Sequence, residues 1–119
     1  MAESTPGSVH IAWYATGLRA DKLEAKLAEI AAVAPRYGAT RYEVYRSRDD
    51  RYKFLQVADF SSKLEFERYW YGPEFEVFRT VTSSWYTVPV LYVWNDIVTV
   101  GGLATAETAL EPQAVAEVE

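Results

Sequence analysis

Apolar and polar residues alternate along this chain in two rhythms, and the switches between them mark six elements. From Ser8 to Thr16 (SVHIAWYAT) the rhythm has period two. It predicts a strand with Val9, Ile11 and Trp13 on one face and His10, Ala12 and Tyr14 on the other, ended by Gly17. From Asp21 to Ala34 the rhythm turns helical: Leu23, Leu27, Ile30 and Ala34 recur on one side, and Lys22, Glu24, Lys26 and Glu29 take the wet side. Pro35 to Gly38 stops that helix. Thr40 to Ser47 alternates Arg41, Glu43 and Tyr45 against Tyr42, Val44 and Arg46, and Tyr52 to Phe60 follows as a second strand after the charged turn Arg48 to Arg51. The pair reads as a hairpin. Ser62 followed by Glu65 is a capping-box pattern that opens a helix through Phe66, Tyr69 and Trp70. Gly72-Pro73 interrupts it and starts a second segment carrying Phe75, Phe78 and Val81. Thr87 to Val100 predicts one long strand, with Asn95-Asp96 as a bulge or tight turn and Pro89 near an edge or strand start.

The resulting order, β-α-β-β-α-β, is the ferredoxin-like α+β arrangement: an antiparallel sheet with its helices on one face. The other face is left open. The expectation is that Val9, Ile11 and Trp13, with alternate residues of the last strand, make up this open face, and that two chains associate through it as a homodimer.

Charge refines the domain boundaries. The chain has 119 residues, 17 acidic against 12 basic, for a net charge of -5. All 12 basic residues fall between Arg19 and Arg79, while Glu3, Glu107, Glu111, Glu117 and Glu119 lie outside the body. The body, residues 8–102, is therefore neutral, flanked by an N-terminal tail (1–7) and an acidic C-terminal tail (103–119) expected to aid solubility. From Thr80 to Ala106 the sole charge is Asp96, so that stretch needs covering by its own chain or by another subunit. The acidic balance speaks against nucleic acid as a partner, because phosphate contacts need a basic surface. No run approaches the ~18 apolar residues of a membrane span, and Met1 to Gly7 lacks the order of a signal peptide, so a cytoplasmic protein is the expectation. With no cysteine and one histidine, disulfides, thiolate zinc sites and Cys–His pairs are excluded. The scattered carboxylates have no metal-ligand spacing, and no phosphate loop or dinucleotide fingerprint occurs. No metal or cofactor is therefore expected.

Residues 52–78 (YKFLQVADFSSKLEFERYWYGPEFEVF) resemble the signature of the antibiotic biosynthesis monooxygenase-like family of dimeric α+β barrels. The matching positions are Phe60 closing a strand, Ser62 in a cap, Phe66, Tyr69 and then Gly72-Pro73. Gly38 to Ser47 resembles the family's second strand and Val98 to Gly102 its last. The resemblance implies a pocket between the helices and the sheet in each subunit, and members that are cofactor-independent oxygenases of polycyclic phenolic substrates or haem-degrading enzymes. The haem branch carries an axial His, a Trp and an Asn. Their places here fall at Phe78 (or Arg79), at Tyr69 and near Tyr14, so none of the three matches and haem degradation is not expected.

Two kinds of candidate chemistry remain. His10, the one side chain with an ordinary pKa near neutrality, shares a strand face with Tyr14. If that face looks into the pocket, His10 can remove a phenolic or α-carbonyl proton while Tyr14 or Tyr69 hydrogen-bonds the oxyanion. Otherwise it is a hydrogen-bonded or partly exposed histidine. Phe66, Trp70, Phe75 and Phe78 either line a flat hydrophobic substrate site or form helix–sheet core. Arg79 either meets an acidic or phenolate ligand group or pairs with Glu74 or Glu76. Asp96 is either a buried acid with a raised pKa or a turn residue. The reading in favour is a small enzyme of cofactor-independent monooxygenase type acting on a hydrophobic, polycyclic aromatic or polyketide-like molecule. A cyclase or isomerase using acid–base chemistry in the same pocket is the first alternative, and a non-catalytic small-molecule binder or accessory protein the second.

Overall fold

The structure is a computed structural model that describes residues 5–103, so the expectations for most of both tails lie outside the described residues. The elements run β1 (Gly7–Tyr14), α1 (Ala20–Ala31), a single 3-10 turn (Ala34–Tyr37), β2 (Arg41–Arg46), β3 (Lys53–Phe60), α2 (Lys63–Trp70), α3 (Pro73–Val81) and β4 (Tyr92–Asp96). The strands form one antiparallel sheet in the order β2-β3-β1-β4, the ferredoxin-like order.

Local chemistry accounts for the boundaries. The side chain of Ser62 caps α2 by accepting from the Glu65 amide at 3.2 Å, and the Glu65 carboxylate reaches back to the Ser61 amide and hydroxyl. Pro73 needs no amide partner in the first turn of α3. α1 buries Leu23, Leu27 and Ile30, the side its rhythm predicts. Its last predicted residues tighten instead into the 3-10 turn, because Pro35 cannot donate to a helical hydrogen bond.

The assignment of the sheet faces is reversed from the sequence expectation. Val9, Ile11 and Trp13 are not the open face: they are 0 to 2% exposed and lie beneath the helices. They stand in register with Ala58, Gln56 and Phe54 of β3, all buried. His10, Ala12 and Tyr14 take the open face, alongside Val57 and Leu55 of β3, Glu43 and Tyr45 of β2 and Val93 of β4. Burial decides the matter. The indole of Trp13 and the branched chains of Val9 and Ile11 offer more apolar area than His10, Ala12 and Tyr14, at ~25 cal/mol per Å². The helices cover the face that gains most.

The last strand is also shorter than its composition suggests. Pairing covers only Tyr92–Asp96, and Asn95-Asp96 is neither a bulge nor a hairpin turn but the end of β4. Asp96 pairs with Gly7, where β1 begins, and Pro6 before it has no amide to offer. Among the described residues, none pairs with the chain beyond Asp96. Val98, Val100 and Leu103 are 90, 77 and 88% exposed, an apolar stretch that the described chain does not cover.

Gly38 ends the 3-10 turn at φ 108°, and a Cβ there would stand 2.6 Å from the Glu65 carboxyl carbon. Since Glu65 is tied to Ser61, it has little room to retreat. Gly38→Ala is expected to lower unfolding free energy by about 1–2 kcal/mol in urea denaturation. Gly17→Ala, which meets nothing within 4 Å, should leave stability within about 0.5 kcal/mol. Equal effects at the two positions would contradict this account.

Candidate functional site

The residues singled out in the sequence divide between the two sides of the sheet. Phe66, Tyr69, Trp70, Phe75 and Phe78 converge under α2 and α3 and are 0 to 8% exposed. Trp13 of β1 is the hub of this layer: its ring lies 6.2 Å from Phe75 in a stacked pose and 5.5 Å from Phe78 edge-on. Tyr86 also meets it edge-on, at 4.9 Å. His10 and Tyr14 are across the sheet from these rings. The proton-abstracting pair imagined from His10 with Tyr69 is therefore not assembled within the chain. The Tyr14 hydroxyl donates to the Asp50 carboxylate at 2.8 Å, and that bond raises its pKa. Asp96 is exposed at the end of β4, away from the aromatic layer. It is not the buried acid that its lone charge allowed.

Tyr69 has a different role from the one expected. Its hydroxyl donates to the Ile30 carbonyl at 2.6 Å and accepts from the side-chain amide of Gln56 at 3.0 Å. The Gln56 carbonyl in turn accepts from the indole N–H of Trp13 at 3.1 Å. A chain of three hydrogen bonds thus threads the core, each member buried and satisfied. Burial pushes the Tyr69 pKa well above the usual tyrosine range, so the group is a neutral phenol. Neither Gln56 nor Trp13 stood out as a site residue in the sequence. The one available signal was an amide placed between Phe54 and Ala58 on the buried register of its strand.

Arg79 does not pair with Glu74 or Glu76. Its guanidinium donates to the Trp70 carbonyl at 2.6 Å and lies 4.6 Å from the Trp70 ring and 4.7 Å from Phe75. Glu74 is engaged elsewhere: it accepts from the Tyr37 hydroxyl at 2.6 Å and faces Arg36 at 3.7 Å. The Tyr37 bond is the main reason the Glu74 pKa is lowered, so this carboxylate is a weak base.

Open space lies between α1 and α3. A cleft of about 300 Å³ is walled by Ile30, Val33, Val77, Phe78 and Val81, with Lys26, Glu29 and Glu74 around it. Ile30 and Phe78 separate it from the layer behind: the Ile30 carbonyl holds Tyr69, and the Phe78 ring touches Trp13. Among the described residues no group of three or more His, Asp or Glu side chains is arranged to hold a metal ion, and no helix is long and apolar enough to cross a membrane.

No protein-family model matches the chain, and no curated protein does. Solved structures do. SnoaB, a cofactor-independent oxygenase from Streptomyces nogalater, is 18% identical and superposes with a TM-score of 0.69 over 81% of this chain and 96% of its own. A protein of Nitrosomonas europaea, provisionally named an antibiotic biosynthesis monooxygenase, is 12% identical with a TM-score of 0.72 over 82% of this chain and 96% of its own. PA3566 of Pseudomonas aeruginosa is 20% identical with a TM-score of 0.68 over 77% of this chain and 93% of its own. At these identities the likeness is one of fold. The chain has the fold of antibiotic biosynthesis monooxygenase-like proteins, the family that residues 52–78 resemble.

The Tyr69 hydroxyl yields a pH prediction. Its folded pKa is raised above the ordinary value of 10.0, so the stability it contributes is fully present below that value and is lost as pH climbs past it. Tyr69→Phe leaves the Gln56 amide without a partner and should cost about 1–3 kcal/mol at pH ~8. The variant should also lose less stability than the parent between pH ~9 and ~11, as read by urea denaturation. Parallel pH profiles for the two proteins would count against this role.

Proposed function

We propose that this chain acts on a flat hydrophobic small molecule by cofactor-independent monooxygenase chemistry, with the α1–α3 cleft as the binding site. The observation that carries the reading is the cleft itself: apolar walls backed by a continuous layer of aromatic rings, on a fold shared with a cofactor-independent oxygenase. An apolar wall of this kind suits a polycyclic phenol or related polyketide-like ring system. The substrate supplies the reactivity. Loss of a phenolic or enolic proton leaves an electron-rich carbanion that adds oxygen to form a peroxide. The peroxide takes back that proton, and breaking its O–O bond with loss of the hydrogen on the same carbon leaves one oxygen atom as a carbonyl and releases the other as water. The protein binds, orients and keeps water out.

His10 plays no part in this version, since it lies across the sheet. Glu29 is the carboxylate at the cleft that is not held by a tyrosine, although Lys26 sits 3.3 Å from it, and it is the candidate proton acceptor. A second reading, a non-catalytic binder, is favoured by the same separation of His10 from the cleft. The cyclase alternative needs an acid–base pair, and its test is independence from oxygen.

The decisive measurement is oxygen uptake by the purified protein with an anthrone or dihydroxynaphthalene. Turnover should fall at least ~10-fold in Val81→Glu, which places a charge in the cleft. Turnover that persists without oxygen would move the assignment to cyclisation. Tight binding without turnover would establish the binder.

We also propose a homodimer joined through the open sheet face, where Val93, Tyr45 and Tyr14 are 57, 51 and 43% exposed. The neutral body offers little net repulsion between copies. Light scattering should give twice the chain mass, and Val93→Lys should shift it toward the monomer. A monomeric parent protein would refute the dimer.

A further inference from the structure

We propose a carboxylate-binding site at Arg79, on the α2-facing flank of α3 and separate from the α1–α3 cleft. Among the described residues three arginines are partly buried, Arg19, Arg46 and Arg79, and of these only Arg46 is paired with carboxylates. The Arg46 side chain is 13% exposed and carries two carboxylates, Asp21 at 2.9 Å and Glu24 at 2.7 Å. Arg41, more open, has Asp59 at 2.9 Å and Glu43 beside it. Arg79 is half-buried between helices, yet among the described residues no carboxylate lies within salt-bridge distance of it. Burial lowers its pKa, the mark of a cation that has given up water without gaining a full counter-charge.

Its surroundings hold the guanidinium in place without neutralising it. The Trp70 carbonyl, at the C-terminal end of α2, takes one of its five N–H donors, and its central carbon lies over the rings of Trp70 and Phe75. No guanidinium nitrogen is both buried and without a partner, so the unused donors reach solvent. The titratable groups close enough to act on it are Tyr86, Tyr71 and Glu76. Tyr71 is 72% exposed and Tyr86 partly so. Glu76 is the one acid among the three, and it forms no ion pair with Arg79.

A pre-positioned guanidinium with a free donor edge fits a carboxylate better than a single-point anion, because two parallel N–H···O bonds form without reordering the side chain. Aromatic flanks add ring contacts for a ligand whose carboxylate is joined to a flat body. The ligand class is therefore an aromatic carboxylate, with its charged end on Arg79 and its ring beside Tyr71 and Tyr86.

The test uses the full chain, with 2-naphthoate and the neutral 2-naphthalenemethanol as probes, followed by NMR at ~0.1 M salt. Naphthoate should bind about 10-fold or more tightly than the alcohol and shift the Arg79 Nε–H and the Tyr71 and Tyr86 signals. Arg79→Gln should abolish that preference and Arg79→Lys should retain part of it. Val81→Glu in the cleft should leave it intact. Equal affinities for the two probes would overturn the carboxylate site while leaving the cleft reading standing. Naphthoate shifts confined to Val77, Phe78 and Val81 would also overturn it, by moving the ligand to the cleft. Should Arg79→Gln unfold, the Nε–H shift of the parent protein decides alone.

Discussion

The antiparallel pairing of β1 with β3 governs the rest of this structure. Setting Val9, Ile11 and Trp13 opposite Ala58, Gln56 and Phe54 decides which side of the sheet the helices must cover. A slip of one residue would exchange every side chain between faces, leaving an indole in water and an imidazole beneath the helices. With the pairing as it is, Trp13 can reach Phe75, Phe78 and Tyr86, and its N–H finds Gln56. The α1–α3 cleft, the neutral phenol of Tyr69 and the guanidinium of Arg79 over its two rings all rest on the layer this creates.

Much of the fold was legible in the sequence because its signals are local. The cap at Ser62, the break at Gly72-Pro73 and the helical spacing of Leu23, Leu27 and Ile30 each depend on residues within a few positions of one another. The face of β1 was not legible, because large side chains sit on both sides: Trp13 and Ile11 on one, Tyr14 and His10 on the other. Only the helices choose between them. The length of β4 was hidden for a similar reason. Ile97 to Val100 is as β-prone as Tyr92 to Asn95, but β1 begins at Gly7 and leaves it nothing to pair with.

The candidate site was half legible. The aromatic residues of α2 and α3 do converge, which their spacing foretold. His10 and Asp96 drew notice because each is the sole member of a class, one the only imidazole and the other the only charge in its stretch. Rarity in sequence says nothing about position in space, and both lie away from the rings. Gln56 and Trp13 became visible only once the register set the Gln56 amide between the indole N–H of Trp13, which donates to it, and the hydroxyl of Tyr69, which accepts from it.

The order of strands in the sheet has a consequence for how this chain comes together. Only β2 and β3 are joined by a short turn. β1, at the centre, waits for partners 49 and 83 positions further on, as the pairs Val9 with Ala58 and His10 with Val93 show. During synthesis the first strand therefore leaves the ribosome with Val9, Ile11 and Trp13 bare, and it stays so until β3 and then β4 have followed. Loop closure over such spans is slow compared with hairpin formation. The residues that end as the best-hidden part of the molecule spend the longest time exposed, and the newborn chain is at its most adhesive just before the sheet closes.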